Sequence, residues 1–400
     1  MHYSLTKASL WNLSGYLYLL LASFIATPIL LGTLGLTNFG LYALAIASTS
    51  LFASLDLGFP QAVIRLFARA QDKETLSKIW HTSFWLLSVT GLVTALLSVP
   101  LFFKLSLSTV SIIFLSGIIF LNNLVVHALC LPQAEGRFGI YNLKTFIVGS
   151  ANTWIAAIAT LYRPSLETVF LVQFLSYLVT LAIVYPYKRT INAGSHFDYR
   201  TGKELVTFGL KNQVGKLFGQ IGAQYGKFIL GTLSPLALSS YSIAVGLVQK
   251  VAGGVSAIAT AFYPASARGV KLIGVYHRLQ LMLGGLGVIG VIAYYIAGRA
   301  FLVFWLADPE VVLAVSRALS TLVWYLAILL LTPLASSILD GHGRPELTSL
   351  FATLTISLEV VLAIFLFPRL GFMAPPTAAL ISICVTTPFL LITAEKVIKK

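Results

Sequence analysis

Residues 204–233 read ELVTFGLKNQVGKLFGQIGAQYGKFILGTL. The run is long enough to cross about 30 Å of hydrocarbon at about 1.5 Å per residue, yet it carries Lys211, Lys216 and Lys227. The next apolar run, 237–263, carries Lys250. Lysine at the bilayer centre costs roughly 2.5–3.5 kcal/mol, whereas each Leu or Ile returns only about 0.3–0.6. Ionisable groups at that depth usually face a bundle interior or a water-filled cavity, where they find partners or ligands. The stretch therefore predicts an all-α polytopic membrane protein with a cationic interior and an anionic ligand.

Composition agrees. Of 400 residues, 58% are hydrophobic and only 10% charged, with a mean hydropathy of +0.89. A soluble domain carries about 25% charged residues. The net charge of +14 would suggest nucleic acid in a soluble chain. Here it reflects the Lys and Arg that collect in the cytoplasmic loops of membrane proteins, so no nucleic-acid partner is expected. Cys130 and Cys384 both lie in apolar stretches. They define neither a disulfide framework nor a metal spacing and read as small buried hydrophobes. The six histidines are scattered, and no metal or other cofactor is expected. The first apolar run, 11–31, is too long for a signal peptide and reads as a retained span.

Twelve apolar runs are long enough to span, near 11–31, 40–60, 81–103, 109–131, 143–162, 166–187, 204–233, 237–263, 279–298, 311–337, 346–367 and 373–393. One set of run ends holds 18 basic residues, among them Arg65, Arg69, Arg137, Lys144, Arg200, Lys203 and Arg268, and the other holds five. That asymmetry predicts both termini in the cytoplasm, which requires an even number of spans, consistent with twelve. The expected organisation is a six-helix lobe over 1–190, a basic linker over 191–203 and a second six-helix lobe over 204–400. Leu31-Gly32-Thr33-Leu34 recurs as Leu230-Gly231-Thr232-Leu233, a shift of 199 that also aligns Tyr42 with Tyr241 and Arg69 with Arg268. Glu135-Gly136-Arg137 after the fourth run resembles His342-Gly343-Arg344 after the tenth. Two repeated halves with the same orientation predict a substrate site between them.

At about 100° per residue, Gln213, Lys216, Gln220, Gln224 and Lys227 share one face of the seventh run. Gly215, Gly219, Gly222 and Gly226 form an adjacent small-residue stripe suited to close packing. Leu210, Leu217, Ile221, Tyr225 and Phe228 cover the remaining side, toward lipid. The polar stripe reads as the wall of a solvated cationic cavity; the alternative is a polar network that glues helices together. Lys250 joins the cavity or snorkels along its stem. Asp56, near the end of the second run, is expected to pair with Arg65, the alternative being a coupling-cation site. Glu359 in the eleventh run is either the counter-charge of an interior lysine or a proton or cation site. His127 reads as a hydrogen-bonded interior histidine, and Asn122 and Asn123 as links between helices. Arg65 and Arg69, one turn apart, share a face at the cytoplasmic mouth.

Two enzyme-like motifs fail on context. Gly285-x-Gly287-x-x-Gly290 spells a dinucleotide fingerprint but lies inside a membrane run with no strand before it, so it reads as helix packing. Gly222-x-x-x-Gly226-Lys227 is one residue short of a phosphate-binding loop and is followed by Phe228. No nucleophile elbow, metal cluster or carboxylate pair suggests catalysis. A transporter is expected rather than an enzyme.

The chain resembles the Wzx-type polysaccharide flippases of the multidrug/oligosaccharidyl-lipid/polysaccharide exporter superfamily. The resemblance rests on Asn12-x-x-Gly15-Tyr16, on Leu34-Gly35 before Phe39-Gly40-Leu41-Tyr42, and on Leu55-Asp56-Leu57-Gly58. It continues through Phe208-Gly209, Ile229-Leu230-Gly231 before Tyr241, and Gly341-x-Gly343-Arg344. Relatives often carry an acidic residue just before the Ile-Leu-Gly element, where this chain has Lys227. The resemblance implies two six-helix lobes of MATE-like architecture working by alternating access in the bacterial inner membrane. It implies a lipid-linked oligosaccharide cargo, of the O-antigen or lipopolysaccharide kind, carried on undecaprenyl diphosphate. Membrane lipids and polysaccharide polymerase machinery are the implied partners. An interior lysine is a point-charge phosphate partner, which fits this cargo. Lys216, Lys227 and Lys250 are then expected to hold the diphosphate, and Gln213, Gln220 and Gln224 to meet sugar or water. Arg65, Arg69 and Arg268 would draw in the headgroup. The rival readings are a small-molecule exporter of the same superfamily and an integral-membrane glycosyl polymerase or transferase.

Overall fold

The computed structural model describes residues 5–70, 72–186, 197–259, 273–306 and 308–399. Helices α1 to α6 are Leu5–Ala53, Phe59–Arg69, Lys73–Lys104, Thr109–Ala134, Gly139–Tyr162 and Leu166–Val184. Helices α7 to α12 are Tyr199–Leu230, Pro235–Ala259, Ile273–Leu306, Pro309–Gly341, Pro345–Leu370 and Ala374–Ile398. No strand occurs among the described residues.

Nine helices among the described residues are long and apolar enough to cross a membrane. Two of the nine are double. The one that ends at Ala53 breaks at Gly35, whose φ of 72° and ψ of 167° leave the helical region. Asn38 Nδ2 donates to Leu34 O at 3.1 Å there, capping a carbonyl near the break. The one that ends at Ile398 breaks at Gly371, φ 51°, between α11 and α12. The 32-residue α7 is long enough but too polar to be among the nine. With both halves of the double helices counted separately the nine become eleven, and the more polar α7 stands beside them, against the twelve runs expected from the sequence.

Local chemistry sets the helix ends. Asp72 accepts from Thr75 N–H at 2.7 Å to start α3, and these hydrogen bonds hold its carboxyl below the usual value. Ser108, Ser165 and Asp308 start α4, α6 and α10 in the same way. The repeated Gly-Arg ends prove alike in backbone detail. Gly136 and Gly343 both have φ 73°. Arg137 N–H donates back five residues to Pro132 O at 2.8 Å, and Arg344 N–H to Leu339 O at 2.9 Å. Each is the left-handed glycine cap that closes the last carbonyls of a helix.

The chain divides into two compact units, one of Tyr18–Gln220 and one of Ile221–Lys400 with Met1–Leu17. The division falls inside α7. In the first unit Phe59, Val63, Phe67, Trp80, Leu87, Cys130 and Leu205 form a buried cluster. In the second, Tyr276, Leu334, Ala335, Ile338, Leu339, Leu390 and Ala394 form another. The apolar residues left outside are those expected to meet lipid, such as Leu281, Ile296 and Phe304 on α9, which are 78%, 80% and 89% exposed. Of the two cysteines, Cys130 is buried as expected but Cys384 is exposed. The reason is the same inside-out logic, since apolar residues of a membrane helix need no protein cover.

Candidate functional site

The helix-wheel stripe on α7 splits between two environments. In the first unit, the turn that follows α1 runs Ser54-Leu55-Asp56-Leu57-Gly58, with Leu57 and Gly58 at φ 53° and 66°. Three contacts tie this turn to α7. Gly58 and Gly209 meet backbone to backbone. Gln213 Nε2 donates to Ser54 O at 2.9 Å. The ammonium of Lys216 forms an ion pair with Asp56. Asp56 also accepts from Gly58 N–H at 3.1 Å and is 4% exposed.

The expected Asp56–Arg65 pair is therefore not formed; Asp56 pairs with Lys216. The correction has a simple cause. The turn carries Asp56 inward against α7, while Arg65 projects from α2 over the ring of Phe208, 4.5 Å from its centroid. The acidic partner of Lys216 lies 160 residues away in sequence, beyond the reach of a wheel reading of α7.

Above this pair lies a cavity of about 550 Å³ lined by Asp56, Gln61, Asn122, Gln133, Lys144, Lys216 and Gln220 among others. Lys144 was counted from the sequence as a loop charge. It instead reaches into the cavity from α5, donating to Asn122 Oδ1 at 2.8 Å with the Tyr177 ring 5.7 Å away. Its place at the very start of an apolar run was the only sequence signal. Asn122 links α4 and α5, as read from the sequence. The charged lining groups are Lys144, Lys216 and Asp56, so the wall has an excess of positive charge.

The rest of the stripe belongs to the second unit. Lys227 Nζ donates to Gln224 Oε1 at 2.9 Å. Gly222 packs on Ile356 and Gly226 on Tyr241, whereas Gly215 and Gly219 have open space, so only half of the small-residue stripe packs. Tyr225, assigned to the lipid face, is buried instead. Its hydroxyl donates to Glu359 Oε1 at 2.9 Å and lies 3.2 Å from Pro375 O. The wheel angle alone could not show that α11 and α12 cover that side. Glu359 is 7% exposed and lines a cavity of about 250 Å³ with Tyr241, Gln249 and Tyr325. Its observed partner is thus a tyrosine rather than a lysine. Gln249 lines this cavity, but its neighbour Lys250 does not.

At the other candidate positions, Arg65 shares a groove of about 430 Å³ with Arg200, Lys203, Glu204 and Thr207. Arg69 is exposed on α2 outside that groove. Arg268 lies outside the described residues. His127 is buried between Trp80 O and Ser83 Oγ, both at 3.1 Å, as expected of an interior histidine. Of the fingerprint-like glycines, Gly287 packs on the backbone of Ala327.

Comparison with known proteins places this geometry in context. The pattern of a family described as "Polysaccharide biosynthesis protein" matches residues 5–270. A protein of Shigella flexneri named for O-antigen transport is 26% identical over 280 residues. That match covers 65% of this chain and 66% of the relative, just under two thirds of its length. The lipid II flippase MurJ in its inward closed conformation has a TM-score of 0.75 at 11% identity, covering 97% of this chain and 87% of that one. The MATE transporter VcmN of Vibrio cholerae in its bent form has a TM-score of 0.65 at 13% identity, covering 99% and 97%. At such identities the solved structures show a shared fold.

Proposed function

The chain belongs to the polysaccharide biosynthesis protein family, and from that premise we propose that it moves a lipid-linked oligosaccharide across a bacterial inner membrane. The cargo in this reading is an oligosaccharide on undecaprenyl diphosphate, passed from the cytoplasmic to the outer leaflet by alternating access. The single observation that carries the reading is the cavity over Asp56. It is large, it lies among membrane helices, and its two ammonium groups face one carboxylate. A buried cationic excess is costly unless an anion visits it.

In this reading Lys216, Lys227 and Lys250 are the groups that hold the diphosphate. Gln213, Gln220 and Gln224 serve the sugar or its water. Arg65, Arg69 and Arg268 gather the headgroup at the cytoplasmic mouth, with both termini on that side. Glu359, a buried carboxyl bonded to Tyr225, is the candidate for a coupling proton or cation. Membrane lipids and polysaccharide polymerase machinery are the proposed partners. No covalent step is needed.

The test is flipping of lipid-linked oligosaccharide in reconstituted vesicles by a Lys216→Ala/Lys227→Ala double variant. Loss of flipping with the protein folded supports the reading, and a wild-type rate at equal expression sinks it. A binding screen addresses the exporter of small molecules. The cationic wall should repel cationic drugs, so preference for cations over anions would favour that exporter instead.

A further inference from the structure

The two ammonium groups in the cavity over Asp56 are not equivalent. Lys216 is neutralised by Asp56. Lys144 is held by the neutral amide of Asn122, and no carboxylate among the described residues forms an ion pair with it. A neutral partner orients a charge without spending its field on a counter-ion, so Lys144 offers an arriving anion more than Lys216 does.

The partners of Lys216 and Lys144 also differ in freedom. Asp56 sits in a turn that cannot follow a departing lysine. Gly58 is pressed on Gly209, Ser54 O is held by Gln213, and Asp56 Oδ1 is held by Gly58 N–H. Lys216 carries its ammonium on a flexible four-carbon stem, and its side chain is 30% exposed against 6% for Asp56. If the pair opens, the lysine is the group that moves.

We propose that Asp56 is an internal competitor of the transported anion. It holds Lys216 between transport events and yields it when a phosphoryl group, seated first on Lys144, draws the ammonium away. It recaptures Lys216 as the anion leaves. This deepens the function proposed above and rests on it: the carboxylate sets both the threshold for capture and the drive for release. The ligand class is a phosphoryl anion, whether the headgroup of a prenyl diphosphate or free pyrophosphate.

The experiment is equilibrium binding of farnesyl diphosphate and of inorganic pyrophosphate to the full-length protein in nanodiscs, paired with flipping assays in vesicles. Asp56→Asn keeps an oxygen for Gly58 N–H and removes the charge. It should tighten binding about tenfold, the low end of coupling between close charges, and lower the maximal flipping rate. The gain should vanish when Lys216→Gln is added. Lys144→Gln should weaken binding about tenfold, and Lys144→Arg should restore it. Thermal unfolding identifies any variant that fails to fold, and the Lys144→Arg rescue keeps the Lys144 arm decisive.

The result that overturns the proposal is Asp56→Asn binding that is unchanged, weaker, or tightened equally with Lys216→Gln present. Lys144→Gln binding at the wild-type level overturns it too. The pattern with farnesyl diphosphate alone supports it with a lipid headgroup as the ligand; the pattern with both probes supports it with the free anion also admitted; the pattern with neither overturns it. Wild-type flipping without the Asp56 pattern defeats this inference alone. The Asp56 pattern without flipping defeats the proposed cargo and leaves the competitor in place.

Discussion

Gly58 and Gly209 touch backbone to backbone. A methyl carbon on Gly58 would lie 2.2 Å from the carbonyl oxygen of Gly209, and one on Gly209 would lie 2.4 Å from that of Leu57. Seven residues beyond Gly209 on α7, Lys216 reaches Asp56, two residues before Gly58. The bare crossing of two glycines thus sets the approach that lets a turn and a helix share a buried ion pair. It also joins two motifs on which the family resemblance was read, Leu55-Asp56-Leu57-Gly58 and Phe208-Gly209.

Gly58→Ala and Gly209→Ala should each destabilise the protein by about 2–4 kcal/mol, through overpacking and, at Gly58, a left-handed φ of 66°. Thermal unfolding in detergent measures this. Gly215→Ala on the same helix meets nothing within 4 Å and is the control that should leave the midpoint in place.

Asn122→Asp adds a second carboxylate beside Lys144 and cancels the positive excess of the cavity wall. Flipping of lipid-linked oligosaccharide should fall at least about tenfold, equivalent to about 1.4 kcal/mol, with the unfolding midpoint maintained. Full activity in this variant would mean that the charge of this wall is irrelevant to transport.

Glu359→Gln preserves an acceptor for the Tyr225 hydroxyl, whereas Glu359→Leu leaves that donor with Pro375 O as its remaining acceptor. The leucine variant should lose about 1–3 kcal/mol of stability. The glutamine variant should fold normally yet lose transport, which follows from the coupling role proposed for the carboxyl. Comparing unfolding midpoints with vesicle flipping rates separates the two effects.

His127 bonds Trp80 O and Ser83 Oγ and sits edge-on to the Trp80 ring, 4.3 Å between centroids. His127→Ala should cost about 1–3 kcal/mol by stranding these partners. Activity per folded molecule should not change, which flipping normalised to a folded-protein assay will show.

Much of the architecture was readable from the residues in order. Apolar length pointed to a many-span helical protein, because a helix must reach across a hydrocarbon layer of fixed thickness, and nine helices among the described residues meet that measure. The likeness of Glu135-Gly136-Arg137 to His342-Gly343-Arg344 was visible in the sequence, whereas the breaks at Gly35 and Gly371 and the cap geometry appeared only in the backbone. The lysines of α7 drew attention to that helix, because their cost in lipid is a property of the side chain alone, and Lys216 among them lines a cavity.

The sequence alone determined that this is a many-helix membrane protein with lysines inside its long helices. Tertiary structure alone decided which charges meet. Asp56 found Lys216 rather than Arg65, Lys144 left the ranks of loop charges to join it, and Tyr225 turned from lipid to Glu359. A wheel or a spacing reports the direction a side chain takes from its own helix. It holds no information on what a distant segment brings to that side, and ion pairing falls off too steeply with distance to be inferred without it.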